Sequence, residues 1–409
     1  MEEHTQARFI VETLANAGFV AYYAGGWVRD HLLQHPSDDI DIATNAPPET
    51  IQALFSHTVP IGIAFGILLV IIKGHQYEVA TFRQDLDYHD GRRPSRISFA
   101  TAEQDAQRRD FTINGMFYDP LREIILDFVN GKEDLHHKII RAIGNPHERI
   151  KEDRLRMIRA IRLACRFNFH IEPLTEKAIR AHAKELFPAV AIERVVQEFQ
   201  KGLDFKKLRP MLILLHDFAL LPSIFPELEG TTLEEIKERT QCLDHFPKEA
   251  PLIAHLLTLF PHFSLEAQQN LCKKLKISNT DTQQITFLFR AQQLLAKPPH
   301  SVPDYDWAYF YAHPDNSLAL HIIAAPLEPA QRTDFYEENQ KRINSLAQQI
   351  NRIEKKDPVV KSADLLEAGI APGKQMGLLL REAEQIAINR RLENKQIVME
   401  TLKQSPHWP

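Results

Sequence analysis

The spacing of apolar positions changes once along this chain, near residue 145. Before that point the apolar runs are short and broken by glycine. Residues 67–72 and 76–83 are β-branched and aromatic, and Lys73-Gly74-His75 between them predicts a tight turn joining two strands. Helical patterns surround them at 5–17, 48–55 and 103–109. Ten of the fifteen glycines lie in this first third, which makes it the turn-rich part of the chain. The pattern predicts an α+β head with a small mixed β-sheet of about five strands. After Pro146, Leu155, Ile158, Ile161 and Leu163 fall at helical spacing, the helical segments lengthen (174–186, 193–203), and strand alternation nearly vanishes. The remainder reads as all-α, with joints at Lys297-Pro298-Pro299 and Asp357-Pro358 and no solenoid repeat.

Length and composition narrow the class. At about 150 residues per domain, 409 residues predict two to four domains. Cys165, Cys242 and Cys272 have no metal-ligand spacing, which argues against a disulfide framework or zinc site and suits a reducing cytosol. Residues 1–15 lack the basic flank and apolar run of a signal peptide. The most apolar stretch, 61–72, is too short to span a bilayer. A soluble cytoplasmic protein without membrane contact or stable protein partner is expected. The net charge of −5 hides an asymmetry: residues 138–209 hold 17 Lys and Arg against 9 Asp and Glu, so this segment is +8 and the rest −13. That segment can meet an anion.

Tyr22-Tyr23-Ala24-Gly25-Gly26-Trp27-Val28-Arg29-Asp30 sets two glycines after an apolar run and before a helical stretch. Gly25 and Gly26 would let backbone N–H groups approach a phosphate, with Arg29 adding charge. Alone, the pair is an ordinary strand-to-helix turn. In Ser37-Asp38-Asp39-Ile40-Asp41-Ile42-Ala43-Thr44 the aspartates Asp39 and Asp41 alternate with isoleucines, and on a strand both carboxylates would share one face while Ile40 and Ile42 enter the core. Two carboxylates held together repel unless a cation lies between them, and Mg²⁺ bound by carboxylates plus substrate phosphates is its natural identity. A lone Asp-x-Asp is more simply a solvated acidic edge. Together, however, the turn, Arg29 and the carboxylate pair describe a nucleotidyltransferase catalytic strand working by two-metal chemistry. Glu78, on the second strand, is a candidate third metal ligand.

Arg108-Arg109-Asp110-Phe111-Thr112-Ile113-Asn114 supplies two arginines for a triphosphate and Asn114 for a ribose hydroxyl, although a helix-end ion pair would look the same. Asp127-Phe128-Val129-Asn130-Gly131 reads equally as a ligand loop or a turn closing the head. From Glu152 onward, polar residues recur every three positions. At ~100° per residue Asp153 and Arg156 are helical neighbours while Arg162 points away, and a simple ion pair is the plain alternative.

These stretches, with Ile192-Glu193-Arg194-Val195-Val196-Gln197-Glu198-Phe199, resemble in order the motifs of class II CCA-adding tRNA nucleotidyltransferases and their relatives, the bacterial poly(A) polymerases. The likeness covers residues 20–205. Further on, Val360-Lys361-Ser362-Ala363-Asp364-Leu365 and Gly369-Ile370-Ala371-Pro372-Gly373 resemble the tail of CCA-adding enzymes. The resemblance implies a catalytic head (1–142), a neck carrying a base-reading protein template (143–210), a helical body (211–300) and a tRNA-binding tail (301–409). It implies that Asp39 and Asp41 bind the metals and that Gly26 and Arg29 touch the triphosphate. Arg109 and Asn114 would hold the nucleotide, Asp153 and Arg156 would read the base, and Arg159 and Arg162 would support them or reach phosphate. Cytosine and adenine both present an amino donor beside a ring-nitrogen acceptor, which an Asp and an Arg can match; uracil and guanine reverse that pattern.

The implied activity is addition of C, C and A to the 3′ end of tRNA from CTP and ATP. Poly(A) polymerases carry a basic stretch with Gly-Arg-Arg after the catalytic pair, where this chain has the apolar Val59-Pro60-Ile61-Gly62-Ile63-Ala64-Phe65-Gly66, although Ile143-Gly144-Asn145-Pro146 echoes them. The interval 84–94 corresponds to a loop that CC-only enzymes lack, which favours complete CCA synthesis. Polyadenylation, A-only addition and a noncatalytic RNA-binding role are the alternatives. His216-Asp217 lacks the partners of a metal phosphohydrolase and is read as part of an apolar helix, 212–221.

Overall fold

The computed structural model describes residues 2–35, 37, 39–62, 66–88 and 94–409. The chain forms two compact units, Met1–Lys237 and Glu238–Pro409. Among the described residues no helix is long and apolar enough to cross a membrane.

The first unit is built on a mixed sheet. Its strands are β1 (Ala21–Ala24), β2 (Asp41–Thr44), β3 (Thr58–Gly62), β4 (Ile67–Ile72) and β5 (His75–Thr81); after the separate hairpin β6 (Arg83–Tyr88) and β7 (Pro94–Phe99) come β8 (Phe117–Asp119) and β9 (Ile124–Leu126). The spatial order is β3-β4-β5-β2-β1-β8-β9. Seven strands therefore replace the expected five or so. The additional β8 and β9 are three residues each, too short to show a period of two. The β4–β5 turn forms as expected, one residue tighter: Ile72 pairs with His75, and Lys73 (φ 48°) and Gly74 (φ 87°) both take the positive φ of a two-residue hairpin loop.

Sheet register positions the site. β2 pairs antiparallel with β1 (Ala24↔Asp41) and parallel with β5 (Ile42↔Val79). Tyr23, Ile42 and Val79 thus share one buried face, tied to the helix Glu2–Asn16 by Tyr77, whose hydroxyl donates to the Glu3 carbonyl at 3.0 Å. Asp41 and Glu78, one residue earlier on their strands, lie on the other face, beside a small core of Ala24, Ala43, Phe82, Ala106 and Phe117. Asp39 differs from expectation: β2 begins at Asp41, so Asp39 stands exposed ahead of the strand rather than within it. Ile40 and Ile42 are buried as expected.

The turn at Asp127 closes the head. Its carboxylate accepts from the backbone N–H groups of Val129, Gly131 and Lys132. Beyond it run the helices Pro146–Glu152, Leu155–Phe167, Pro173–His182 and Ile192–Asp204. Asp153 is not helical: it separates the first two helices with an extended backbone (φ −146°, ψ 103°), so the helical-wheel placement of Asp153 beside Arg156 fails. The expected apolar helix 212–221 divides into Leu208–Asp217 and Leu220–Ile224, because Ala219 is left-handed (φ 58°).

The second unit is helical throughout its described residues. Both proline joints fall between helices: Lys297-Pro298 follows Asn279–Leu295, and Asp357-Pro358 follows Ala347–Glu354. Its last helices, Ser362–Glu367, Lys374–Asn389 and Lys395–Leu402, pack around Leu365, Leu379, Ala383, Ala387, Val398 and Leu402.

Candidate active site

A cleft of about 650 Å³ opens above the Gly25-Gly26 turn. Every site residue expected from sequence lines it except Glu78: Gly25, Gly26, Arg29, Asp39, Asp41, Arg108, Arg109, Asn114, Asp153, Arg156, Arg159 and Arg162. The lining holds ten Arg and Lys side chains against four Asp, the charge balance of an anion site.

One wall is acidic. Asp41 is pushed up to about 7 by burial, then by repulsion from Glu78 and Asp39, with only Arg109 opposing. Glu78 is raised by burial and by Asp39 in the same way. Glu78 thus belongs to the charge cluster although it does not line the cleft. Among the described residues no group of three or more His, Cys, Asp or Glu is arranged to hold a metal unaided. The donor set nevertheless fits a hard divalent cation that takes its remaining ligands from phosphate and water, because mutual repulsion is what a bound cation would relieve.

Gly25 is where this wall meets the basic one. It adopts φ 67°, and a Cβ there would lie 3.3 Å from Arg109 Nη1 and 3.7 Å from Asp41 Oδ2. Only glycine suits both the backbone and the space.

The basic wall is held by carboxylates at nearly every step. Arg29 is buried, donates from Nε to Asp30 Oδ1 at 2.9 Å and from Nη1 to Asn114 Oδ1 at 2.6 Å, and lies over the Phe167 ring; burial pulls its pKa down. Asn114 donates in turn to Asp110 Oδ1, whose other oxygen accepts from Arg159 at 2.9 Å. Burial alone would raise the Asp110 carboxyl, but Arg159, Asn114 and Arg156 outweigh it and hold it low. Arg162 is buried on Glu198 of the helix Ile192–Asp204. Arg108 and Arg109 both bind Asp105, three and four residues earlier, so the helix-end ion pair exists and the arginines still line the cleft.

At the neighbouring end Asp153 and Arg156 are not paired with each other in the way spacing suggested. Asp153 receives both terminal nitrogens of Arg194, at 3.1 and 2.8 Å, and caps the N–H of Leu155. Arg156 donates to Glu152 Oε2 at 2.7 Å and to the Arg149 carbonyl at 2.8 Å. Sequence reasoning passed over Asp105, Arg194 and Glu198. The last two lie inside the motif at 192–199, and their charge on the buried side of an amphipathic helix was the available signal.

Fold and cleft together define a nucleotidyltransferase. The model for the "Poly A polymerase head domain" matches residues 21–141, that for the "Probable RNA and SrmB- binding site of polymerase A" residues 168–232, and that for "tRNA nucleotidyltransferase domain 2 putative" residues 244–402. The CCA-adding enzyme of Streptococcus mutans is 35% identical over 400 residues, covering 96% of this chain and 95% of that protein; that of Streptococcus pyogenes is 32% identical over 399 residues, covering 96% and 94%. The crystal structure of the Bacillus stearothermophilus CCA-adding enzyme in complex with CTP superimposes with a TM-score of 0.79 at 27% identity, covering 98% of each chain. The chain belongs to the family of CCA-adding enzymes.

Proposed function

We propose that the chain adds C, C and A in turn to the 3′ hydroxyl of tRNA, using CTP and ATP and releasing pyrophosphate at each step, in the cytoplasm. The observation that carries this reading is one cleft in which an unneutralised carboxylate cluster faces a wall of held arginines across a glycine turn. Asp39 and Asp41, with Glu78 behind them, would hold Mg²⁺. When bound, the metal supplies activation of the attacking hydroxyl and charge neutralisation on the leaving pyrophosphate.

The protein's own groups bind and orient. Arg29, Arg108 and Arg109 take the triphosphate, with Gly25 and Gly26 allowing close approach. Asn114 reaches the ribose, and Asp110 sets its amide orientation. Asp153 accepts from the exocyclic amine of cytosine or adenine and Arg156 donates to the adjacent ring nitrogen, with Arg159 and Arg162 behind them. Uracil and guanine turn an acceptor toward Asp153 and a donor toward Arg156, matching neither, and are rejected. In this reading residues 1–142 are the catalytic head, 143–210 the neck, 211–300 the body and 301–409 a tail that grips tRNA by shape and phosphate contacts, with salt-sensitive affinity.

Supplying labelled CTP and ATP, separately and together, to tRNA ending before CCA tests the reading. CMP incorporation followed by a single AMP is expected. AMP runs on unrelated RNA would mean polyadenylation, AMP added only to tRNA already ending in CC would mean A-only addition, and no incorporation would mean an RNA-binding role.

A further inference from the structure

We infer that Asp105 is a positioning residue that aims Arg109 at the incoming nucleotide and keeps its guanidinium from turning onto Asp41. The inference rests on the nucleotide-binding reading of the cleft.

Asp105 sits on the helix Ala102–Gln107 and is 1% exposed. Its Oδ2 accepts from Arg109 Nε at 3.1 Å and Nη2 at 3.0 Å, while its Oδ1 accepts from Arg108 Nε at 2.8 Å and from the backbone N–H of Arg83 at 3.2 Å. With Nε and Nη2 committed, Nη1 is the nitrogen of Arg109 left beside Gly25, on the side where Asp41 Oδ2 also lies. The ring of Phe117 covers the guanidinium carbon at 4.9 Å. Carboxylate, ring and glycine turn thus fix the fork on three sides.

A solvent-exposed ion pair of the same spacing would contribute little and would not fix a rotamer. This one is different because the carboxylate is out of water and must be satisfied by its partners. Burial alone would raise the Asp105 carboxyl; Arg109 first, then Arg108, hold it below the usual range, so it stays charged and stays bound. Without that negative charge, Arg109 is left facing Asp41 across Gly25, a carboxylate whose ionised form it already favours. An arginine drawn there would leave the nucleotide and neutralise part of the metal-holding charge. Asp105 also fastens Arg83, the first residue of the β6–β7 hairpin, so one buried carboxylate sets the hairpin's root and the nucleotide-facing arginine together.

The test is a calorimetric titration of CTP into the full-length protein in EDTA, for wild type, Asp105→Asn, Arg109→Ala and the double variant, with thermal unfolding of each. Wild-type binding checks the nucleotide reading itself; its absence would remove that reading before Asp105 is in question. Given wild-type binding, D105N is expected to weaken CTP affinity about 30-fold, as for truncating one side of a buried charge pair. The double variant should lose clearly less affinity than the two single losses combined, because most of the influence of Asp105 passes through Arg109 and only the remainder through Arg108. Wild-type affinity in folded D105N, or losses that add in full in the double variant, would overturn the inference. If D105N does not fold, Asp105→Glu, which keeps the charge but displaces it by one methylene, takes its place in the same cycle: a loss that largely vanishes in the Arg109→Ala background supports positioning, and one that adds in full refutes it.

Discussion

The two walls of the cleft handle charge in opposite ways. On the basic wall Arg29 has Asp30, Arg109 has Asp105, Arg156 has Glu152, Arg159 has Asp110 and Arg162 has Glu198, so each guanidinium is anchored before any substrate arrives. On the acidic wall Asp41, Glu78 and Asp39 repel one another and only Arg109 and Arg83 offset them. Anchored cations are preorganised for a polyanion and need no rearrangement to bind it. Unanchored carboxylates hold electrostatic free energy that only an incoming cation can release. In the proposed reading the difference corresponds to a division of tasks, with the basic wall recognising substrate and the acidic wall recruiting metal.

The strongest way to break this division is to remove charge from the acidic wall. Asp41→Ala should lower transfer of both CMP and AMP by ~1,000-fold or more if Asp41 holds the metal as proposed. Binding of tRNA, measured by filter retention, should stay near wild type. Equal losses in turnover and tRNA binding would mean that the acidic wall also recognises substrate.

Gly25 tests the seam between the walls. Gly25→Ala forces an L side chain at φ 67° and places its Cβ between Arg109 and Asp41. The 3.3 Å contact makes Arg109 give by a few tenths of an ångström, so kcat/KM for CTP should fall, by less than the ~100-fold that a displacement of about 1 Å at reacting groups can cost. Unchanged kinetics would show that the walls act independently of the turn.

On the basic wall, loss of a base-reading group should alter choice more than rate. Asp153→Ala removes the carboxylate that Arg194 holds, and discrimination of CTP over UTP should drop ~10- to 100-fold, the worth of one unpaired polar contact. Competition assays with both nucleotides would measure it. Undiminished discrimination would move base reading elsewhere.

How much of this contrast the sequence carried differs between the walls. Asp41 was legible because Asp-x-Asp on a strand fixes a shared face, and only the strand's starting point was misread, leaving Asp39 ahead of it. Glu78 was legible as a strand residue, and the register beside Asp41 gave it meaning. The partners of the basic wall divide: Asp30, Asp105 and Glu152 lie within four residues of their arginines, whereas Arg194–Asp153 and Glu198–Arg162 join positions 36 to 41 residues apart, beyond the reach of any helical period. Asp153 misled for a local reason: it interrupts, with an extended backbone, the helix that the three-residue spacing of polar positions predicts. The short strands β8 and β9 were illegible because three residues do not establish an alternation. The expected loop at 84–94 resolves into the facing strands β6 and β7, with its tip at 89–93 outside the described residues.

The smallest effect concerns stability, and it sharpens the acidic side alone. Burial first, then Glu78 and Asp39, push the Asp41 carboxyl up to about 7 on folding, from the ordinary aspartate range of about 4. A carboxyl raised on folding is protonated in the native state while already ionised in the unfolded one, so the native state binds the extra proton throughout that window. Its contribution is therefore fully present below pH 4 and is lost as pH rises toward 7. In metal-free buffer the Tm of wild type should decline over this interval relative to Asp41→Asn, which cannot ionise. A difference of about 2–4 °C would correspond to roughly 1 kcal/mol in a domain of this size. Millimolar Mg²⁺ should abolish the gap by favouring the ionised form, and should raise the Tm of wild type more at pH 8 than at pH 5. Parallel pH profiles for the two proteins, with or without the ion, would show that the acidic wall stores no such repulsion and that the two walls do not differ in the way their partners indicate.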